Sequence, residues 1–150
     1  MNVFLIKHQG KILPVDGEMS GIPEGQVMTA SIAKPRNVAF HRKFFALIRL
    51  AFDYFEPQEV VYRGEKITPK KDEGEFRKWL TVKAGYFEVI GYPDGSVRVR
   101  AKSIRFASMS QEDFEALYSA MIDVVLAEVM TQLVKREDVE KMVDIVLGFV

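Results

Sequence analysis

Cysteine is absent from the 150 residues, which excludes disulfides, thiolate metal sites and cysteine nucleophiles. Histidine is scarce. His8 and His41 are the only two, too few and too far apart in sequence for a His-based zinc site. No apolar run reaches the roughly 20 residues of a membrane span. The opening Met1-Asn2-Val3-Phe4-Leu5-Ile6-Lys7 lacks the basic start and cleavage site of a signal peptide. Catalytic signatures are missing too. There is no Gly-rich phosphate loop followed by Lys and Ser/Thr, and no nucleophile elbow. No Asp or Glu stands two positions before a Lys, so the acid-x-Lys element of many metal-dependent nucleases is lacking. The expectation is a cytoplasmic protein that is not an enzyme and uses no cofactor or metal.

What is present is a chain long enough for one domain, residues 1–150, with a real hydrophobic core. Lys and Arg number 21, as do Asp and Glu, so the net charge is zero. That zero hides a segregation. Residues 30–107 carry 16 cations against 9 acids, and residues 108–150 carry 3 against 9. A neutral chain arranged in this way can present one basic surface. The competing arrangement packs the basic middle beside the acidic end.

The pattern along the chain predicts an α+β fold: a small antiparallel sheet with a β-hairpin, packed against a central aromatic-rich helix and two C-terminal helices. Strands are expected at Val3 to Lys7, Lys11 to Pro14 and Gln26 to Ala33. Pro35 then stops the chain and Asn37 caps a helix from about Val38 to Phe55. Phe40, Phe44, Leu47, Ile48, Ala51, Phe52, Tyr54 and Phe55 form its apolar arc, with Arg42, Ala46, Arg49 and Asp53 opposite. Arg49 and Asp53 are spaced for an i, i+4 pair. Glu56 to Gly74 reads as a polar excursion with one short strand at Val60 to Arg63. A second helix, Glu75 to Ala84, holds the only tryptophan, Trp79, and Gly85 ends it. Tyr86 to Tyr92 and Ser96 to Phe106 flank Pro93-Asp94-Gly95, a strong hairpin signal. Ser110 opens a third helix running to about Val134, and Glu137 to Phe149 forms the last.

Two cation clusters stand out. Arg36, Arg42 and Lys43 gather at a helix start, where the macrodipole favours acids, so an anionic partner is one reason for them. In the second hairpin strand Arg98, Arg100 and Lys102 alternate with Val97, Val99 and Ala101, giving one basic and one apolar face. Arg105 continues the charge. A bulge at Lys102-Ser103 is expected, because Ile104 and Phe106 take the parity that was basic. Cations about 6–7 Å apart suit successive phosphates; a solvated or charge-protected strand edge is the plainer explanation. His41 falls between Ile48 and Phe52 on the helical wheel, which suits a half-buried packing group. Glu115 and Glu128 lie near an apolar arc, where rim salt bridges account for them. Tyr92, beside the hairpin turn, is the aromatic best placed to be exposed.

The Arg36 to Leu47 block, the Trp79-Leu80-Thr81-Val82-Lys83-Ala84-Gly85-Tyr86 block and the Pro-Asp-Gly hairpin followed by Ser103 to Ala107 resemble an uncharacterised family of phage and prophage proteins. The helix start is also similar to the Arg-Ser-x-x-Gln-Asn-Arg-Lys-x-Trp signature of the NinB/Orf recombination-mediator family. Arg36, Arg42 and Lys43 match it; Asn37, Phe40, His41 and Phe45 replace its Ser, Gln, Asn and Trp. The resemblance implies single-stranded DNA binding, a host protein partner and a dimer, in the host cytoplasm. The resulting expectation is a non-catalytic nucleic-acid-binding protein of recombination or replication. Its phosphate contacts would be Arg36, Arg42, Lys43, Arg98, Arg100, Lys102 and Arg105. The alternative is a protein-interaction module that inhibits or recruits a host protein, and a third reading is a metal-dependent nuclease. Broad apolar faces on the last two helices suggest a homodimer.

Overall fold

The computed structural model describes residues 5–14, 23–27, 37–105, 107–133 and 135–148. The chain separates into two compact units, Met1–Ile32 and Ala33–Val150. The architecture is α+β, with four α-helices and three two-stranded antiparallel sheets among the described residues.

In the first unit, β1 (Leu5–His8) pairs with β2 (Lys11–Pro14). Gln9 and Gly10 both have positive φ, 48° and 79°, the two-residue turn whose twist matches that of the strands. The strand expected at Gln26 to Ala33 lies mostly outside the described residues, and Gln26 and Val27 themselves are not in a strand.

The second unit is organised around α1 (Val38–Tyr54), capped by Asn37, whose side chain accepts from the Phe40 amide at 3.1 Å. The helix is buried more completely than an amphipathic wheel predicts. Ala46 and Leu50 join Phe44, Leu47, Ile48 and Ala51 in the core, while Tyr54 is exposed. Ala46 therefore does not belong to a polar spine, and the Arg49–Asp53 pair does not form among the described residues. The neighbours of α1 explain this: α2 (Glu73–Lys83), a π-turn (Val125–Val129) and α4 (Arg136–Gly148) all pack against it.

The polar excursion after α1 holds a whole hairpin rather than one strand. β3 (Val60–Tyr62) pairs with β4 (Glu65–Ile67) across Arg63 and Gly64, at φ 51° and 85°. Next, α2 starts at its Asp72 cap, which accepts from the Glu75 amide at 2.8 Å. It ends in a Schellman motif: the Gly85 amide donates to Val82 O at 3.0 Å and the Tyr86 amide to Thr81 O at 3.1 Å. Gly85, at φ 90°, makes that turn and delivers the chain directly into β5 (Phe87–Gly91).

The third helix is shorter than its apolar pattern suggests. α3 (Gln111–Val124) passes into the π-turn, where the Met130 amide reaches back five residues to Val125 O at 2.7 Å, and the helix stops there. α4 can then fold back onto α1. Much of the apolar surface of α3 and α4 is thereby buried, although Ile145 of α4 stays exposed. Phe114, Leu117, Met121, Ile122, Val125, Val139 and Val143 are all fully buried in the one core, so packing within the unit accounts for most of these faces. Among the described residues no helix is long and apolar enough to cross a membrane.

Candidate nucleic-acid interface

The ribbon of β5 and β6 (Val97–Ala101) is fixed in register by its turn. The Gly95 amide donates to Tyr92 O at 3.0 Å and the Tyr92 amide to Ser96 O at 2.9 Å. Gly95 at φ 83° supplies the left-handed residue of a three-residue hairpin loop. Asp94 locks the tip, accepting from both the amide and the hydroxyl of Ser96 at 2.9 and 2.6 Å. The hydroxyl bond and then the amide bond hold its carboxyl below the ordinary value.

That register sets Ile90 opposite Arg98 and Glu88 opposite Arg100 on one face, and Val89 opposite Val99 on the other. Arg98 and Arg100 thus lie side by side along β6, about 6–7 Å apart. Their face is not wholly basic, because Arg100 donates to Glu88 at 2.9 Å. The strand ends at Ala101, so no bulge forms at Lys102-Ser103; the change of parity is simply where pairing stops. The Lys102 amide still donates to Tyr86 O at 3.0 Å, and the segment then leads through Arg105 toward α3, with Met109 donating back to Arg105 O at 3.1 Å.

Arg98, Lys102 and Arg105 are exposed and make no ion pair with a described residue. Arg42 is also exposed and unpaired in that sense, whereas Lys43 is half-buried with its Nζ 5.5 Å from the centre of the Tyr118 ring. Arg36 lies outside the described residues. The starts of α1 and α3 meet: the Asn37 amide donates to Gln111 Oε1 at 3.2 Å. In sequence, Arg105 precedes this junction by six residues and Arg42 follows it by five.

The opposite ribbon face is apolar yet uncovered. Phe87, Val89, Val97 and Val99 are 43 to 66% exposed. Tyr92, at the tip, is 46% exposed. His41 is half-buried, its ring 4.8 Å from Phe45, and acts as a packing group. Glu115 accepts from Gln111 at 2.7 Å and Glu128 pairs with Lys83 at 3.2 Å, both as rim interactions. No three His, Asp or Glu side chains gather closely enough among the described residues to hold a metal ion.

At the base of the ribbon lies an open cavity of about 370 Å³, lined by Tyr86, Glu88, Lys102, Ser103, Ser108 and Asp113 among others. Sequence reasoning singled out only Lys102 of these as functional. The others come together through the Schellman turn, the end of β6 and the Ser110 cap of α3. Glu88 was nonetheless accessible to inference, since the Pro93-Asp94-Gly95 loop dictates that it faces Arg100.

A helical core with three two-stranded ribbons, one of them carrying the exposed cations of β6, defines an α+β protein. The chain belongs to the family described as Protein of unknown function (DUF1367), whose model matches residues 14–71 and 61–149. No curated protein and no solved structure matches it.

Proposed function

We propose that this protein binds nucleic acid through phosphate contacts from the β5–β6 ribbon, without catalysis, in the setting of phage recombination or replication that the sequence resemblance suggests. The observation carrying this reading is the run of exposed cations Arg98, Lys102 and Arg105, on and after a strand, which make no ion pair with a described residue. Arg42 is a separate exposed cation at the start of α1. A two-stranded ribbon is also narrow enough to lie in the major groove of a duplex, and its cation spacing suits an extended single strand. Arg100 is a weaker candidate than Arg98, because Glu88 already engages it at 2.9 Å. Lys43 is a weaker candidate than its position in the sequence suggested, because it already rests on Tyr118.

The deciding experiment is fluorescence anisotropy with labelled single-stranded and duplex DNA at low and moderate salt. Salt-sensitive binding is the expected result, and no binding even at low salt would rule the function out. The uncovered apolar face of Phe87, Val89, Val97 and Val99 favours a second reading. Phosphates do not explain it, and a host protein or a second copy of the chain does. Affinity capture and solution mass test those two possibilities.

A further inference from the structure

The cavity at the ribbon base carries chemistry that phosphate binding leaves unused. A site made only for phosphates would exclude carboxylates, yet Glu88 and Asp113 both line it, beside Lys102. Each carboxylate has one oxygen engaged. Glu88 Oε2 accepts from Arg100 at 2.9 Å, and Asp113 Oδ2 accepts from the Ser110 hydroxyl at 2.9 Å. The second oxygen of each makes no side-chain hydrogen bond with a described residue. Those interactions also orient the carboxylates, which removes part of the ordering cost of binding. Tyr86 and Met109 add apolar surface, and the hydroxyls of Ser103 and Ser108 complete a mixed lining.

The volume, about 370 Å³, is at the small end of ligand sites and is enough to seat one nucleobase. Among bases, guanine presents adjacent N1–H and N2–H donors on its Watson–Crick edge, a match for the two oxygens of a carboxylate, whose engaged oxygen keeps a second lone pair. In a duplex that edge is occupied by cytosine, so only an unpaired guanine can offer it. We infer that this cavity is a recognition pocket for a single unpaired guanine, whose flanking phosphates lie on Lys102 and Arg105. The inference presupposes the nucleic-acid function proposed above and adds strand state and base preference to it.

The test uses the full chain and fluorescein-labelled oligothymidylate carrying one central dG, dI, dA or dC, with anisotropy read at low salt. Inosine keeps N1–H but lacks the 2-amino group. The dG oligonucleotide is expected to bind about tenfold tighter than the dI, dA and dC oligonucleotides, the discrimination of one good paired contact. Glu88→Gln and Asp113→Asn should each shrink that preference toward unity. Asp113 also belongs to the α3 cap, so Glu88→Gln, away from any helix, decides the matter if the Asp113 variant fails to fold. Equal binding of all four oligonucleotides, or a dG preference unchanged in Glu88→Gln, overturns the pocket while leaving salt-sensitive binding to the ribbon in place. No binding of any oligonucleotide overturns both.

Discussion

Removing Arg98 and Lys102 together should flatten the salt dependence of DNA binding by an amount the ribbon geometry fixes in advance. Three cations on the strand and its continuation, Arg98, Lys102 and Arg105, make no ion pair with a described residue. Each phosphate neutralised on a single strand contributes about 0.7 to the slope of log affinity against log salt. Three contacts give a slope of about −2, or roughly an 18-fold loss of affinity between about 50 and 200 mM salt. Arg98→Ala with Lys102→Ala leaves one contact and a loss of about threefold over the same range. Arg100 is the internal control. Because Glu88 holds it at 2.9 Å, Arg100→Ala should leave the slope near −2. All three side chains are exposed, so the variants should keep wild-type stability within about 0.5 kcal/mol, to be checked by circular dichroism. A slope that the double variant leaves unchanged, or that Arg100→Ala flattens as much as Arg98→Ala does, refutes the reasoning.

Three further outcomes follow from the core and the ribbon tip. Phe114 is fully buried, with its ring 4.3 Å from Phe44 and 5.8 Å from Phe40. Phe114→Ala should therefore cost about 3–5 kcal/mol in urea unfolding, and a loss under about 1 kcal/mol would mean the core is not packed as described. Tyr118 is the opposite case. Its hydroxyl is buried without a hydrogen-bond partner among the described residues, and burial, reinforced by Glu140 and Asp144, raises its pKa. Tyr118→Phe should thus be neutral or stabilising by about 1 kcal/mol, and a clear drop in melting temperature would reveal a partner for that hydroxyl. At the ribbon tip, Asp94 has a folded pKa below its unfolded one. Its contribution is complete above the ordinary carboxylate pKa, about 4, and disappears as pH falls through the depressed value. The amide shifts of Asp94 to Ser96 in NMR should change through that acid window, and Asp94→Asn should remove that change at the tip.

Where local chemistry decides structure, the sequence is legible. Asn37 and Ser110 cap helices because their side chains reach an amide three residues on, and Pro93-Asp94-Gly95 makes a hairpin because Gly95 tolerates a left-handed backbone. Nonlocal competition is harder to read. The apolar period of α3 continues past Val124, yet the backbone shifts to a five-residue hydrogen bond at Met130 and stops, so that α4 can return along α1. Nothing in the helical period of residues 111–134 signals that return. The β3–β4 hairpin was closer to visible: Arg63-Gly64 sits between two short strands, but a charged first turn residue is a weaker cue than Asn or Asp. For the candidate site, the cations on β6 could be read from alternation alone. The pairing of Arg100 takes one further step, because it depends on the register that the Pro93-Asp94-Gly95 loop sets, with Glu88 opposite Arg100.

That register also gives the ribbon two unlike faces, and the contrast bears on function. A bare two-stranded hairpin is marginal in water, and this one draws support from α2, against which β6 packs. Support of that kind would suffice with polar residues on both outer surfaces. Instead Phe87, Val89, Val97 and Val99 form a continuous uncovered apolar strip behind the cations. A nucleic-acid strand satisfies only the charged face. If the apolar strip is covered in the working state, it is by protein, so the two readings need not exclude one another. Replacing Val89 and Val99 by Thr keeps the β-branched fit to the strand while making the strip polar. The substitution should leave the DNA salt slope unchanged and weaken only protein association, measured as solution mass or as retention on a captured partner. A loss of DNA affinity in that variant would show instead that the apolar face touches the nucleic acid.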